Sequence, residues 1–112
     1  MRDFILQHKS SLKFIVNYHS FGNMFIIPYS GGDLSYKLTP DQVELYNEIK
    51  NEAKFPPKMI SGSAKHLLNY YANGEASDWA LSKTGIIAMS PELGSSSATS
   101  QVFDIKSARE EA

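Results

Sequence analysis

Hydrophobic and polar positions alternate between two periodicities along this chain. Phe4, Ile5 and His8 recur at helical spacing, so the segment from Asp3 to about His8 predicts one face of a helix. Leu12 to Tyr18 follows a different rule. Its run Leu-Lys-Phe-Ile-Val-Asn-Tyr is nearly continuously apolar, which predicts a strand buried on both sides in the middle of an α/β sheet. It ends in the predicted loop His19-Ser20-Phe21-Gly22-Asn23. A second apolar run, Met24 to Tyr29, predicts another strand, with Pro28 placing its end near an edge or a bend. Ser30-Gly31-Gly32-Asp33 predicts a turn.

The clearest helix spans Pro40 to Lys54. Thr39 suits the N-cap, Pro40 the first helical position, and Gln42 completes a capping box. Val43, Tyr46, Ile49 and Ala53 predict the buried stripe, and Pro56-Pro57 forbids continuation. Met59-Ile60 predicts a short strand, and Ala64 to Tyr71 fits either helix or strand. Asp78 reads as the cap of a short helical turn, Trp79 to Lys83, closed by Gly85 in a left-handed cap. Ile86 to Met89 predicts a further buried strand. Ser95 to Ser100 reads as a small-residue linker, and Phe103 to Ala112 as a turn followed by the start of a charged helix. Strands interleaved with helices place the chain in the α/β class.

Length and charge narrow the field of functions. The 112 residues suit one small domain, and no internal repeat or second domain is visible. With 42% hydrophobic and 21% charged residues the composition is that of a globular protein, not a disordered tail. The formal net charge of -1 lacks the basic excess of a nucleic-acid binder. No apolar run approaches the ~20 residues of a membrane span. Behind Met1-Arg2-Asp3 only Phe4-Ile5-Leu6 is apolar, so no signal-peptide core is visible. The absence of cysteine excludes disulfides, thiolate metal sites and cysteine nucleophiles.

Several catalytic signatures are also missing. Gly62-Ser63-Ala64-Lys65 lacks the spacing of a phosphate loop, and no G-x-S-x-G elbow or H-E-x-x-H zinc helix is present. Three features remain. His19 follows a predicted strand, at the edge where open α/β sheets place their sites. An imidazole there can ligate a metal, although a hydrogen-bonded histidine at a strand end is commoner. Glu92 follows the apolar strand and Pro91. A carboxylate in apolar surroundings has a raised pKa, which suits a general base near neutral pH; a surface glutamate in a loop is the plainer alternative. Tyr70-Tyr71-Ala72-Asn73-Gly74 puts two aromatics ahead of a loop. A tyrosine there can close over a substrate or simply pack at the rim of the core.

These features occur in an order that resembles one family. Tyr18-His19-Ser20-Phe21, followed by a strand ending in Pro28-Tyr29, resembles the second zinc-ligand segment of the zinc metallocarboxypeptidases of the carboxypeptidase A/B type. Gly74-Glu75-Ala76-Ser77-Asp78-Trp79 is similar to the family's Gly-x-x-x-Asp-Trp segment, and Ser90-Pro91-Glu92-Leu93 to its catalytic Glu-Leu segment. Tyr70 stands eight residues before Asp78, and Glu92 fourteen after it. The likeness extends from Asp3 to about Ile105.

The resemblance implies a fold and a set of roles. The fold would be a mixed, mostly parallel sheet flanked by helices, of which residues 1–112 form a partial domain lacking its N-terminal part and last helix. His19 would ligate Zn²⁺, and Ser20 and Phe21 would line the substrate cleft. Tyr70 would contact the C-terminal residue of a peptide or protein substrate. Glu92 would take a proton from the zinc-bound water and pass it to the leaving amine. Ser77 would help set specificity from the floor of the side-chain pocket, where a small neutral residue gives no charge preference. Lys65, on the pocket rim, would favour acidic ends. The family's first two zinc ligands, a His and a Glu three apart, lie upstream of the matched segment, as do the arginines that grip the substrate carboxylate. One imidazole does not hold zinc usefully in water. The chain is therefore expected to be inactive alone, with the N-terminal half of the domain as its partner. The competing expectation is a catalytically dead carboxypeptidase-like module used for protein association. Joint retention of His19, Tyr70 and Glu92 favours the enzyme.

Overall fold

The computed structural model describes residues 1–53 and 59–94. The Pro56-Pro57 stop, the small-residue linker and the charged helix expected after Phe103 lie outside the described residues. The described elements, in chain order, are α1 (Arg2–His8), β1 (Phe14–Val16), β2 (His19–Ser20), β3 (Met24–Ile26), α2 (Pro40–Glu52), β4 (Ile60–Gly62), α3 (Ala64–Leu68), α4 (Ala76–Thr84) and β5 (Ile87–Leu93).

Local chemistry explains the helices. The Thr39 side chain accepts from the Gln42 amide while the Gln42 side chain accepts from the Thr39 amide, closing the capping box that starts α2. Ser63 caps α3, which ends on Asn69 in the left-handed region at φ 58°. Helix α4 ends on Gly85 at φ 74°, a backbone state that glycine adopts without the Cβ penalty. The ambiguous segment from Ala64 is thus helical, and its helix stops at Leu68.

The sheet is built around β5. Strand β1 pairs with it in parallel, with Phe14, Ile15 and Val16 opposite Ile87, Ala88 and Met89. Strand β2 continues on the same side, with His19 opposite Glu92 and Ser20 opposite Leu93. On the other side β3 runs antiparallel to β5, and β4 pairs in parallel with β3. The parallel β3 and β4 require a crossover, which α2 supplies. The result is a mixed, mostly parallel five-stranded sheet flanked by helices.

The core lies where Phe25 and Met89 of the sheet meet Tyr46 of α2, Met59 and Leu81 of α4. Tyr46 also completes the backbone of β5. Its hydroxyl donates to the Ala88 carbonyl at 2.7 Å and accepts from the Ala88 amide at 3.3 Å. The adjacent Met89 carbonyl turns the other way and accepts from the Asn17 amide.

Two expectations change. The run Leu12–Tyr18 forms only the short β1 and is not buried on both sides: Phe14 is 62% and Tyr18 55% exposed. Among the described residues β1 is bordered by one strand only, and Ile15 and Val16 are half-buried while Phe14 is exposed. In α2, Tyr46 is buried and Ile49 half-buried, but Val43 and Ala53 are exposed. The run Met24–Tyr29 gives the fully buried β3, and Pro28 stands, buried, in a bend just beyond its end, as expected.

Candidate active site

The loop predicted after Tyr18 begins as a strand. β2 carries His19 into register with Glu92, and Met24 of β3 faces the same glutamate from the opposite side. Glu92 is therefore held between two strands. Burial raises its carboxyl pKa; the neighbouring His19 acts in the opposite direction, and Glu75 adds to the rise. The Nε2 atom of His19 lies 2.8 Å from the amide nitrogen of Asn17. That side-chain nitrogen, Nδ2, can only donate, so Nε2 of His19 is the acceptor and in the neutral ring Nδ1 carries the proton.

The start of α4 departs from the sequence expectation. The cap is Glu75, not Asp78, and the helix begins at Ala76. The glutamate is long enough for its Oε2 to accept from the amides of both Ser77 and Asp78, two of the otherwise unsatisfied helix donors. It also accepts from the Ser77 hydroxyl. Its Oε1 accepts from the Ser90 hydroxyl of β5 at 2.6 Å. Asp78 is thereby released to face the turn after β3. Its Oδ2 accepts from the amides of Ser30 and Gly31, both at 2.8 Å. Burial raises the Asp78 pKa, and those two amide bonds partly offset the rise.

The remaining residues singled out in the sequence are distributed around this centre. Ser20 and Phe21 follow His19 and are exposed, and the peptide between them is cis. Ser77 is buried in the first turn of α4. Tyr70 lies between α3 and α4, is 54% exposed, and makes no hydrogen bond among the described residues. His19 and Glu92 are thus brought together, and among the described residues no hydrogen bond ties Tyr70 to either. Lys65 donates to the Asn69 side chain at 2.9 Å and lies 5.0 Å from the centre of the Tyr71 ring.

Glu75 and Ser90 were not anticipated as part of this neighbourhood. Ser90 had a detectable signal, since it stands two residues before Glu92 and alternate strand positions share a face. Glu75 had none, because the neighbouring aspartate is the commoner cap.

As for a metal, among the described residues no three His, Cys, Asp or Glu side chains come together as a cation site. His8 lies in α1 against the Phe4 ring, 4.5 Å between centroids, and His66 lies in α3. The donor set fits one zinc ligand, His19, and not a complete three-ligand site.

The sequence pattern of zinc carboxypeptidases matches residues 1–109. The chain belongs to the zinc carboxypeptidase family. Among solved structures it is similar to carboxypeptidase A from Helicoverpa armigera, with 25% identity and a TM-score of 0.64 over 92% of this chain. It also shares its fold with bovine thrombin-activatable fibrinolysis inhibitor, solved in complex with tick carboxypeptidase inhibitor, with 18% identity and a TM-score of 0.69 over 98% of this chain. The chain spans 25% of the first of those chains and 38% of the second. No curated protein sequence matches it significantly. The family and its fold are those expected from the Tyr-His-Ser-Phe, Asp-Trp and Glu-Leu segments.

Proposed function

We propose that these residues form the His19–Glu92 portion of a zinc-dependent carboxypeptidase that releases single residues from peptide C-termini. The supporting observation is the register of β2 on β5, which sets an imidazole directly opposite a half-buried carboxylate with a raised pKa. In this reading Glu92 takes a proton from the attacking water and returns it to the leaving amine. Its raised pKa suits both halves of that task. His19 serves as one zinc ligand, and the other ligands come from residues outside those described. Ser20 and Phe21 line the cleft, Tyr70 contacts the terminal residue of the peptide, and Ser77 lines its side-chain pocket.

The reading is tested on the full-length protein loaded with zinc. Glu92→Gln is expected to lower kcat by about 10²-fold or more with little change in KM. His19→Ala is expected to lower zinc content measured by elemental analysis. A Glu92→Gln enzyme with undiminished turnover would exclude the proposed proton transfer. The 112-residue chain alone is expected to hold no stoichiometric zinc and to release no terminal residues. An association module predicts instead that the full-length protein binds partners but cleaves no peptide.

A further inference from the structure

We propose that Asn73 is a positioning residue for Tyr70: its side chain ties the backbone that carries the phenol to the turn after β3. The inference rests on the carboxypeptidase reading, in which Tyr70 contacts the terminal residue of the peptide. The Asn73 Oδ1 accepts from the Gly32 amide at 2.8 Å. One residue earlier, the Ala72 amide donates to the Ser30 carbonyl at 2.9 Å. The two segments touch, since a Cβ at Gly32 would stand 3.4 Å from the Asn73 oxygen and 3.6 Å from Cγ of Tyr71. The turn is itself fixed, because Asp78 of α4 accepts from the Ser30 and Gly31 amides, both at 2.8 Å. Tyr71, Ala72 and Asn73 are thus held against a turn that α4 keeps in place.

The chain before Tyr70 is held as well. Asn69 closes α3 in the left-handed region at φ 58°, and its side chain accepts from Lys65 at 2.9 Å. The same ammonium lies 5.0 Å from the centre of the Tyr71 ring. Tyr70 alone in this stretch has a loose side chain: it is 54% exposed and makes no hydrogen bond among the described residues. Bringing its ring onto a substrate therefore orders one side chain and leaves the backbone as it was. Without the anchor the same step would also order backbone angles, and that entropic cost weakens binding. Gly74 is where the chain would give way. It sits next to Asn73 at φ 82°, with nothing within 4 Å of its Cβ position. Among these anchors the Asn73 bond comes from the side chain of an exposed residue, so substitution removes it without opening the core.

The test uses the zinc-loaded full-length protein and three peptides, benzoylglycyl-phenylalanine, benzoylglycyl-lysine and benzoylglycyl-glutamate, with kinetics followed on the one cleaved fastest. Asn73→Ala should raise KM by about three- to tenfold with kcat little changed, as expected for loss of one hydrogen bond that supports binding and not chemistry. Tyr70→Ala should raise KM by itself. Adding Asn73→Ala to Tyr70→Ala should then change KM no further, because the anchor acts through the ring. A purely structural role predicts instead the same rise in KM with or without the ring. That result, or an Asn73→Ala enzyme of unchanged KM, overturns the inference and leaves the carboxypeptidase reading in place. Tyr70→Ala with unchanged KM also overturns it, by removing the contact that the anchor serves. Release of no residue from any of the three peptides by the unsubstituted enzyme overturns both.

Discussion

Strands β1 and β5 lie side by side and are of similar hydrophobicity in their paired halves, yet they end in opposite circumstances. Phe14 of β1 is 62% exposed, whereas Ala88, Met89, Ser90 and Pro91 of β5 are all buried. The difference is one of neighbours. β5 has β1 and β2 along one side and β3 along the other, and Leu81 of α4 and Tyr46 of α2 cover its Met89. β1 has β5 alone among the described strands. An apolar side chain is stabilised in proportion to the area it removes from water, so a similar residue contributes much in β5 and little in β1. The chemistry follows this gradient. Glu92 owes its raised pKa to the enclosure that β5 provides, while His19 and Ser20 on β2 remain exposed.

Replacement of a core phenylalanine is the strongest way to test that contrast. Phe25 of β3, packed directly on β5, has no exposed surface. Phe25→Ala should cost about 3–5 kcal/mol in urea-induced unfolding, enough to remove most of the stability of a small domain. Phe14→Ala should cost well under that, about 1 kcal/mol or less. Equal losses would show that β1 is covered as fully as β5.

The next largest effect concerns the Tyr46 hydroxyl, which satisfies both backbone groups of Ala88. Tyr46→Phe should cost about 1–3 kcal/mol at neutral pH, because it strands buried polar atoms. The same residue sets a pH dependence. Burial pushes its pKa up from 10.0 to about 12. The unfolded chain ionises first as pH rises, so stability is intact below pH 10.0 and is lost as pH climbs through about 12. Tyr46→Phe should flatten that alkaline loss in thermal melts followed by circular dichroism. An unchanged alkaline profile would mean that Tyr46 is not the group responsible.

A smaller effect is expected at the end of α4, just before β5. Gly85 sits at φ 74° with no atom within 4 Å of where a Cβ would stand. Gly85→Ala meets no clash, and its cost is that of the left-handed backbone alone, about 1 kcal/mol. A larger loss would show that the turn into β5 is more tightly constrained than its open surroundings suggest.

Much of the local architecture was legible in the sequence, and the errors share a cause. Thr39, Pro40 and Gln42 announce the start of α2, and Gly85 announces the end of α4, because caps are decided by atoms within four residues of one another. The apolar run Leu12–Tyr18 correctly announced a strand but not its place at the border of the described sheet. Burial depends on which strands arrive alongside, and apolar content alone does not encode that. The choice of Asp78 as a cap followed the usual preference for a short side chain. It failed because Asp78 had a better use across the fold, on the amides of Ser30 and Gly31.

For this protein, then, the order of residue types was enough to settle the start of α2, the end of α4, the α/β class and membership of the zinc carboxypeptidase family. These depend on short-range contacts and on motif order. The tertiary structure alone decided that His19 stands opposite Glu92, that Glu75 binds both Ser77 and Ser90, and that Lys65 is turned to Asn69 and Tyr71. The first two joinings bring together segments that are not neighbours in the chain. The third lies within one, but a long side chain has several reachable partners. In each case the outcome was set by how the strands and helices packed.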